Sequence, residues 1–348
     1  MSNRRTLVLY MALVGMAAAV LPLRSVVAQG TELLFVENTL SGDVTVIDVA
    51  TLKVTGTIPI GRYPDDIIVS KRGDILYVSR MMSRSEDGAQ PLPGEIVAIN
   101  PATKTVTWRA PVSGEPHHLA LSDDGEQLFV PIFSSNHVEV LNTRRRAVVD
   151  KIPVGYGPHG TFLSPNGKNV YSGTIHQQQI TVFDAATHKP IKVIPMSEGV
   201  RPFAIAKDES RLYAQLSRLH GFVVVDLTTN KIIRTVELPD RDKVAMPGSW
   251  PYTVNHGLAL SPDEKLLVAA ATRSDFVAIY SLPELELLGS VPVGVEPNWL
   301  TFSVDARYLY ASNRKSNDVS VIDMANRKEV ARIKVGNYPQ RMAAVVVK

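Results

Sequence analysis

From Leu33 to Val347 the apolar positions fall in short runs that alternate with polar ones and stop at Gly, Pro, Asn or Asp. That is the pattern of short strands joined by tight turns. One stretch shows the unit. Thr161 to Leu163 begins a first strand A, Pro165-Asn166-Gly167 turns, and Asn169 to Ser172 forms strand B. Gln179 to Phe183 then forms strand C and Lys192 to Pro195 strand D. Gly with Asn or Asp at the first turn supplies the positive φ that a tight hairpin requires.

The unit recurs at intervals of roughly 45 residues, each copy opened by a Gly-x-x-Pro step and carrying a Ser-Pro-Asp-Gly-like turn. The steps run from Gly61 to Pro64, Gly114 to Pro116 (one residue shorter), Gly155 to Pro158, Gly199 to Pro202, Gly294 to Pro297 and Gly336 to Pro339. A degenerate copy without the proline ends at Asn255-His256, aligned through His256-Gly257-Leu258-Ala259-Leu260-Ser261-Pro262. A four-stranded sheet this small cannot cover both its faces alone, so successive sheets must stack around an axis. After Pro339 only one strand remains, Met342 to Val347, while Leu34 to Val36, Val44 to Ile47 and Val54 to Ile58 supply three more. One plus three completes a seventh sheet and latches a ring. A solenoid would instead leave both termini incomplete. The expected fold is therefore all-β, a single seven-bladed propeller over residues 29–348.

The repeats resemble the YVTN-type propeller family. The likeness is carried by Leu76-Tyr77-Val78-Ser79, by Tyr310-Ala311-Ser312-Asn313, and by the related runs Ser41 to Asp48 and Ser316 to Asp323. It spans the chain after the leader and implies the fold while saying little of activity. Relatives so implied include extracellular surface proteins, periplasmic binding proteins, lactonase-like and streptogramin-lyase-like enzymes, and the propeller part of nitrous oxide reductase.

Composition narrows the setting. Arg4-Arg5, an apolar run from Leu7 to about Leu23, and Val26-Val27-Ala28 read as a signal peptide over residues 1–28. Pro22 and Arg24 close the run below the roughly 20 residues of a spanning helix, so no stable membrane insertion is expected. Cleavage would remove three arginines and no acid, leaving 34 basic against 34 acidic side chains. A periplasmic or secreted location is the expectation, with no general attraction to nucleic acid. The absence of cysteine rules out disulfides, thiolate metal sites and cysteine nucleophiles. No Gly-x-Gly-x-x-Gly, P-loop, His-Glu-x-x-His or Gly-x-Ser-x-Gly motif occurs.

The histidines are unevenly placed. In a propeller the B–C loops and the D-to-A connections share one face. His117, His118, His159 and His256 fall at D-to-A steps, His137, His176 and His220 in B–C loops, and only His188 on the other side. Two insertions, Met81 to Gly94 and Pro239 to Tyr252 with Trp250, belong to the same face and read as lids. The residue after each step should point to the channel mouth, giving Asp65, His117, His159, Arg201 or Phe203, His256, Asn298 and Gln340.

Three uses compete for this ring. His117, His159 and His256 could hold a divalent transition metal such as Cu or Zn, with positions left open for water or substrate. The histidines could act as general acid or base without metal, partnered by Asp65 or Asp66. Or the face, with His118 and Arg201 included, could bind a small molecule or a protein without chemistry. The sequence favours this last use, a binding scaffold of a monomeric protein, with a metal- or histidine-assisted lyase or lactonase-like hydrolase as the alternative. Trp299 and the strand-B tyrosines Tyr77, Tyr171, Tyr213 and Tyr310 are expected in the core, and Asp48, Asp184, Asp226 and Asp323 as turn residues.

Overall fold

The computed structural model describes residues 30–81, 93–244 and 253–348. Seven antiparallel four-stranded sheets form a ring. Blades I to VI follow the chain over residues 64–111, 120–153, 158–195, 200–237, 258–292 and 297–334. Blade VII takes its innermost strand, Pro339–Val347, from the C-terminus and pairs it with Thr31–Asn38 from the N-terminal side. The expected seven-bladed propeller and its closure are thus observed. Among the described residues no helix is long and apolar enough to cross a membrane.

The ring is held by seven apolar clusters, one between each pair of neighbouring blades. Leu33, Phe35 and Val44 of blade VII interlock with Ile67, Val78 and Val97 of blade I, and Leu34 and Ile47 with Trp299 and Tyr310 of blade VI. Five more clusters join the remaining neighbours. Each fully buried Leu, Ile or Phe side chain contributes about 1.5–3 kcal/mol, so the inter-blade contacts carry the stability. Strands B and C are buried on both faces, whereas outer strands such as Lys53–Pro59 are largely exposed. Tyr77, Tyr171, Tyr213 and Tyr310 are buried as expected.

The repeated A–B turn has a plain cause. Ser122, Ser164 and Ser261 each accept a backbone N–H five residues on, at 2.9–3.0 Å, and donate to the Asp or Asn two residues on, at 2.6–2.8 Å. One hydroxyl thus closes the turn from both sides. Asp48, Asp184, Asp226 and Asp323 close the C–D turns by accepting backbone N–H groups at 2.7–3.1 Å.

The Gly-x-x-Pro step decides which side chains reach the channel. Tyr63, Gly157, Glu296 and Tyr338, each just before the proline, adopt positive φ of 61–74°. The ladder then slips at Asp65, His159, Arg201, Asn298 and Gln340. Such a slip re-aims a side chain that regular pleating would direct elsewhere.

Candidate functional site

Asp65, His117, His159, Arg201, His256 and Gln340 line a cavity of about 430 Å³ at the channel mouth. The fourth position belongs to Arg201. Val200, paired with Leu216, holds the register that Pro158, paired with Thr174, holds in blade III. Pro202 therefore comes two residues late, and Phe203 pairs with Ala214 and packs in the III–IV cluster instead. Asn298 and His118 are buried in the wall just beside the cavity.

Blade II gives the site two consecutive histidines because its inner strand is only Ala120–Leu121. Ahead of it the backbone leaves the ladder, and the His118 N–H donates to the His159 carbonyl of blade III at 3.1 Å. Both imidazoles can therefore turn inward. Ring centroids of His118 and His159 are 4.2 Å apart, and those of His117 and His159 5.0 Å. Donor atoms of His117, His118 and His159 all lie within 4.8 Å of one another. This grouping differs from the expected trio of His117, His159 and His256, because His118 closes in from the second position after the proline. His256 remains close, at 5.4 Å from His118 and 5.6 Å from His159, although blade V is not their neighbour: the channel is narrow enough for rings to meet across it.

Burial, more than any single neighbour, keeps His118, His159 and His256 neutral. His118 is pushed well below its ordinary value by burial, then by Arg341 and the other imidazoles. His159 is pushed down by burial, His117 and Arg201, and His256 by burial, Arg314 and Arg201. His256 Nδ1 donates to the Asn298 carbonyl at 3.3 Å, which leaves its Nε2 as an acceptor. Asp65 Oδ2 lies 2.9 Å from His117 Nδ1, at ion-pair distance but off the line of a hydrogen bond. Gln340 Nε2 donates to Thr39 at 2.8 Å and reaches Asp65 at 3.5 Å.

Beneath the ring the channel is filled by charge. Arg341 stacks on the Trp299 ring at 3.2 Å and lies 3.1 Å from Asp66, which accepts the Leu119 N–H at 2.5 Å. Burial raises Asp66 to about 6 despite Arg341, and raises the fully buried Glu37 well above the carboxylate range. Trp299 is thus a core residue, as expected, with a second use as a platform for the guanidinium.

Thr253, Arg273, Glu296, Arg314, Lys315 and Tyr338 complete the cavity and were not singled out in the sequence. Glu296 and Tyr338 occupy the residue before the step proline, and Arg314 and Lys315 a B–C loop, so the rule that sorted the histidines finds these too. Glu296 bridges Arg314 at 2.6 Å and Lys315 at 2.9 Å. Arg201 donates to Ser217 at 2.9 Å, and burial, with Arg314 nearby, lowers it to about 9. The blade IV–VI wall is therefore cationic and the blade II–III wall imidazole-rich. The lid expectation for residues 81–94 and 239–252 falls mainly outside the described residues, as does the leader, residues 1–28.

A family described as lactonase, 7-bladed β-propeller matches residues 97–332. The chain belongs to this lactonase family. The motifs suggested a YVTN-type propeller, and of that reading the propeller is shown while the family that matches is the lactonase one. No curated protein matches the chain. Among solved structures, the periplasmic gluconolactonase of Pseudomonas aeruginosa aligns with a TM-score of 0.73 at 19% identity, over 91% of this lactonase-family chain and all of its own. A candidate 6-phosphogluconolactonase of Bacteroides fragilis aligns at 0.71 and 16% identity, over 90% and 98%. Hydrazine synthase of Kuenenia stuttgartiensis aligns at 0.69 and 22% identity, over 84% and 92%. At these identities the structural likeness speaks for the fold alone.

Proposed function

We propose that this propeller hydrolyses a lactone at the histidine-lined mouth, in preference to the binding scaffold favoured by the sequence. The observation that carries this reading is the convergence of Asp65, His117, His159, His256 and Arg201 on one cavity in a lactonase-family chain. His117 turns Nδ1 toward Asp65, which leaves Nε2 to take a proton from water. The water oxygen bonds to the lactone carbonyl carbon, Arg201 and Arg314 stabilise the oxyanion, and the ring C–O bond breaks. The leaving alkoxide recovers the proton from His117, and a hydroxy acid results. Burial keeps His118, His159 and His256 neutral, so they accept hydrogen bonds without repelling Arg201. Read as an export signal, the apolar leader supports a periplasmic or secreted location.

The test is acid release from a lactone panel, D-glucono-δ-lactone included, at constant pH. Saturable turnover is expected, with His117→Ala and Asp65→Asn each losing about 100-fold or more in kcat. A background rate across the whole panel would remove the reading.

The clustered donor atoms of His117, His118 and His159 support a second reading, a bound Zn or Cu ion. Neutral imidazoles are the right donor set, and such an ion would supply Lewis acidity and activate water. Arg201 and Arg341 act against a dication there, which is why metal-free hydrolysis is placed first. Elemental analysis of wild type and His118→Ala separates the two: one equivalent of metal, lost on substitution, supports the ion.

A further inference from the structure

A strip of rings leads away from the cavity at His117. From His117 it passes to Phe133 at 4.9 Å between centroids, on to His176 at 5.6 Å, and to Tyr156 at 5.1 Å. Tyr156 is 51% exposed, so the strip runs from the imidazole cluster out to solvent.

Three loops of blades II and III hold these rings and are tied to one another. The Phe133 N–H donates to Glu115 at 2.8 Å, that of Gly157 to Ser135 at 3.0 Å, and that of Ile175 to Gly157 at 2.9 Å. Tyr156 N–H donates to Gln177 Oε1 at 2.9 Å. Gly157 has a specific part. It stands where blades I, VI and VII carry Tyr63, Glu296 and Tyr338, and a Cβ on it would lie 2.5 Å from His176 Cδ2. Only glycine lets the His176 ring close on the step.

Arg201, Arg273, Arg314 and Lys315 line the cavity on the other side. A sugar ring would need amide or carboxylate partners for its hydroxyls. Asp65, Glu296 and Gln340 offer these in the cavity itself, whereas along the strip the Oε1 of Gln177 is already engaged by Tyr156. We propose that the site selects a flat aromatic ring carrying a carboxylate or an ester carbonyl, the ring on Phe133, His176 and Tyr156 and the oxygens toward Arg201 and Arg314. The inference deepens the lactone-hydrolase reading and rests on it, with an aryl lactone as the substrate class.

Two experiments separate the subsite from the hydrolase reading. Calorimetry measures binding of 3-(2-hydroxyphenyl)propanoate, the ring-opened form of dihydrocoumarin, and of gluconate. Wild type binds the aryl acid more tightly. Phe133→Ala and Gly157→Ala each weaken it about five-fold, the size of one aromatic contact, without changing gluconate affinity. Phe133→Leu, which keeps an apolar side chain of similar length, loses the same preference. Equal affinity for the two acids, or aryl binding untouched in all three variants, overturns the proposal. Hydrolysis of dihydrocoumarin against D-glucono-δ-lactone is the second arm. If both are hydrolysed alike and Phe133→Ala changes neither, the ring wall is refuted and the hydrolase stands. If neither is hydrolysed while aryl selectivity persists in calorimetry, the hydrolase is refuted and the subsite stands.

Discussion

Carboxylates at the two ends of this propeller live in opposite environments. On the turn face Asp184 and Asp226 are partly exposed, accept short hydrogen bonds from their own turns, and are held below the usual carboxylate range by those bonds. Beneath the channel mouth Asp66 and Glu37 are fully buried and pushed upward by desolvation. Histidines divide likewise. His188 on the turn face finds Asp150 and Gln127, both at 2.6 Å, whereas Nδ1 of His118 and of His159 is buried without a hydrogen-bond partner. The same repeat builds both ends, so the difference lies in the one or two residues on the C-terminal side of each step proline. Polar groups satisfied on one face and left without partners on the other support the proposal that the second face takes a ligand.

The largest test of that contrast is chemical. His117→Ala should lower lactone turnover about 100-fold or more, while His188→Ala should leave it unchanged, both read in the same steady-state assay. Equal losses would erase the distinction between the ends. Next in size is the buried pair beneath the ring. Arg341→Met leaves Asp66 without a counter-charge and should cost about 3–5 kcal/mol in urea unfolding. Adding Asp66→Asn should recover part of that loss, since the uncompensated charge is gone. A double variant as damaged as the sum of the singles would show that the pair is not coupled.

How much of this the sequence reveals depends on whether a feature repeats. Blade number, closure and turn chemistry are legible because the same serine, aspartate and tyrosine positions recur in copy after copy. The ring of mouth residues is legible for the same reason, one position after each proline. The register of Arg201 is not, since the blade IV proline is displaced from the position it holds elsewhere and the slip in the ladder is what reveals it. Ring order can be read from the chain but channel width cannot, so the approach of His256 to His118 and His159 is visible only in the folded ring. Arg341 escaped because it occurs once, in blade VII, and only its stacking on Trp299 and its approach to Asp66 in the folded ring mark it.

Acid titration sharpens the contrast by a smaller amount. His118, His159 and His256 protonate in the fold only well below 6.5, the value of an ordinary imidazole, so below 6.5 the unfolded chain binds more protons. Their stabilisation is complete above that pH and is lost on acidification. Asp66, raised to about 6, has the opposite sign: it adds stability as pH falls from about 6 toward 4. Melting temperature should therefore fall from pH 7 to pH 5. The slope should be shallower in His159→Asn and steeper below pH 6 in Asp66→Asn. Identical slopes in the three proteins would contradict the assignment of buried, neutral imidazoles.

The smallest expected effect is as informative as the largest. Asp184→Ala removes one acceptor for the Ala186 and Thr187 N–H groups and the Thr187 hydroxyl. Water can replace each of those bonds, because the turn is exposed and its charge is screened. Melting temperature should shift by about 2 °C or less, and neither lactone turnover nor aryl-acid affinity should move. The change at Asp226, on the turn face of blade IV, also breaks an ion pair with Arg211 at 2.7 Å and should cost slightly more stability, again without moving turnover. A loss of turnover in either variant would mean that the turn face communicates with the mouth through the sheets, and that the two ends are not the independent environments their hydrogen bonding implies.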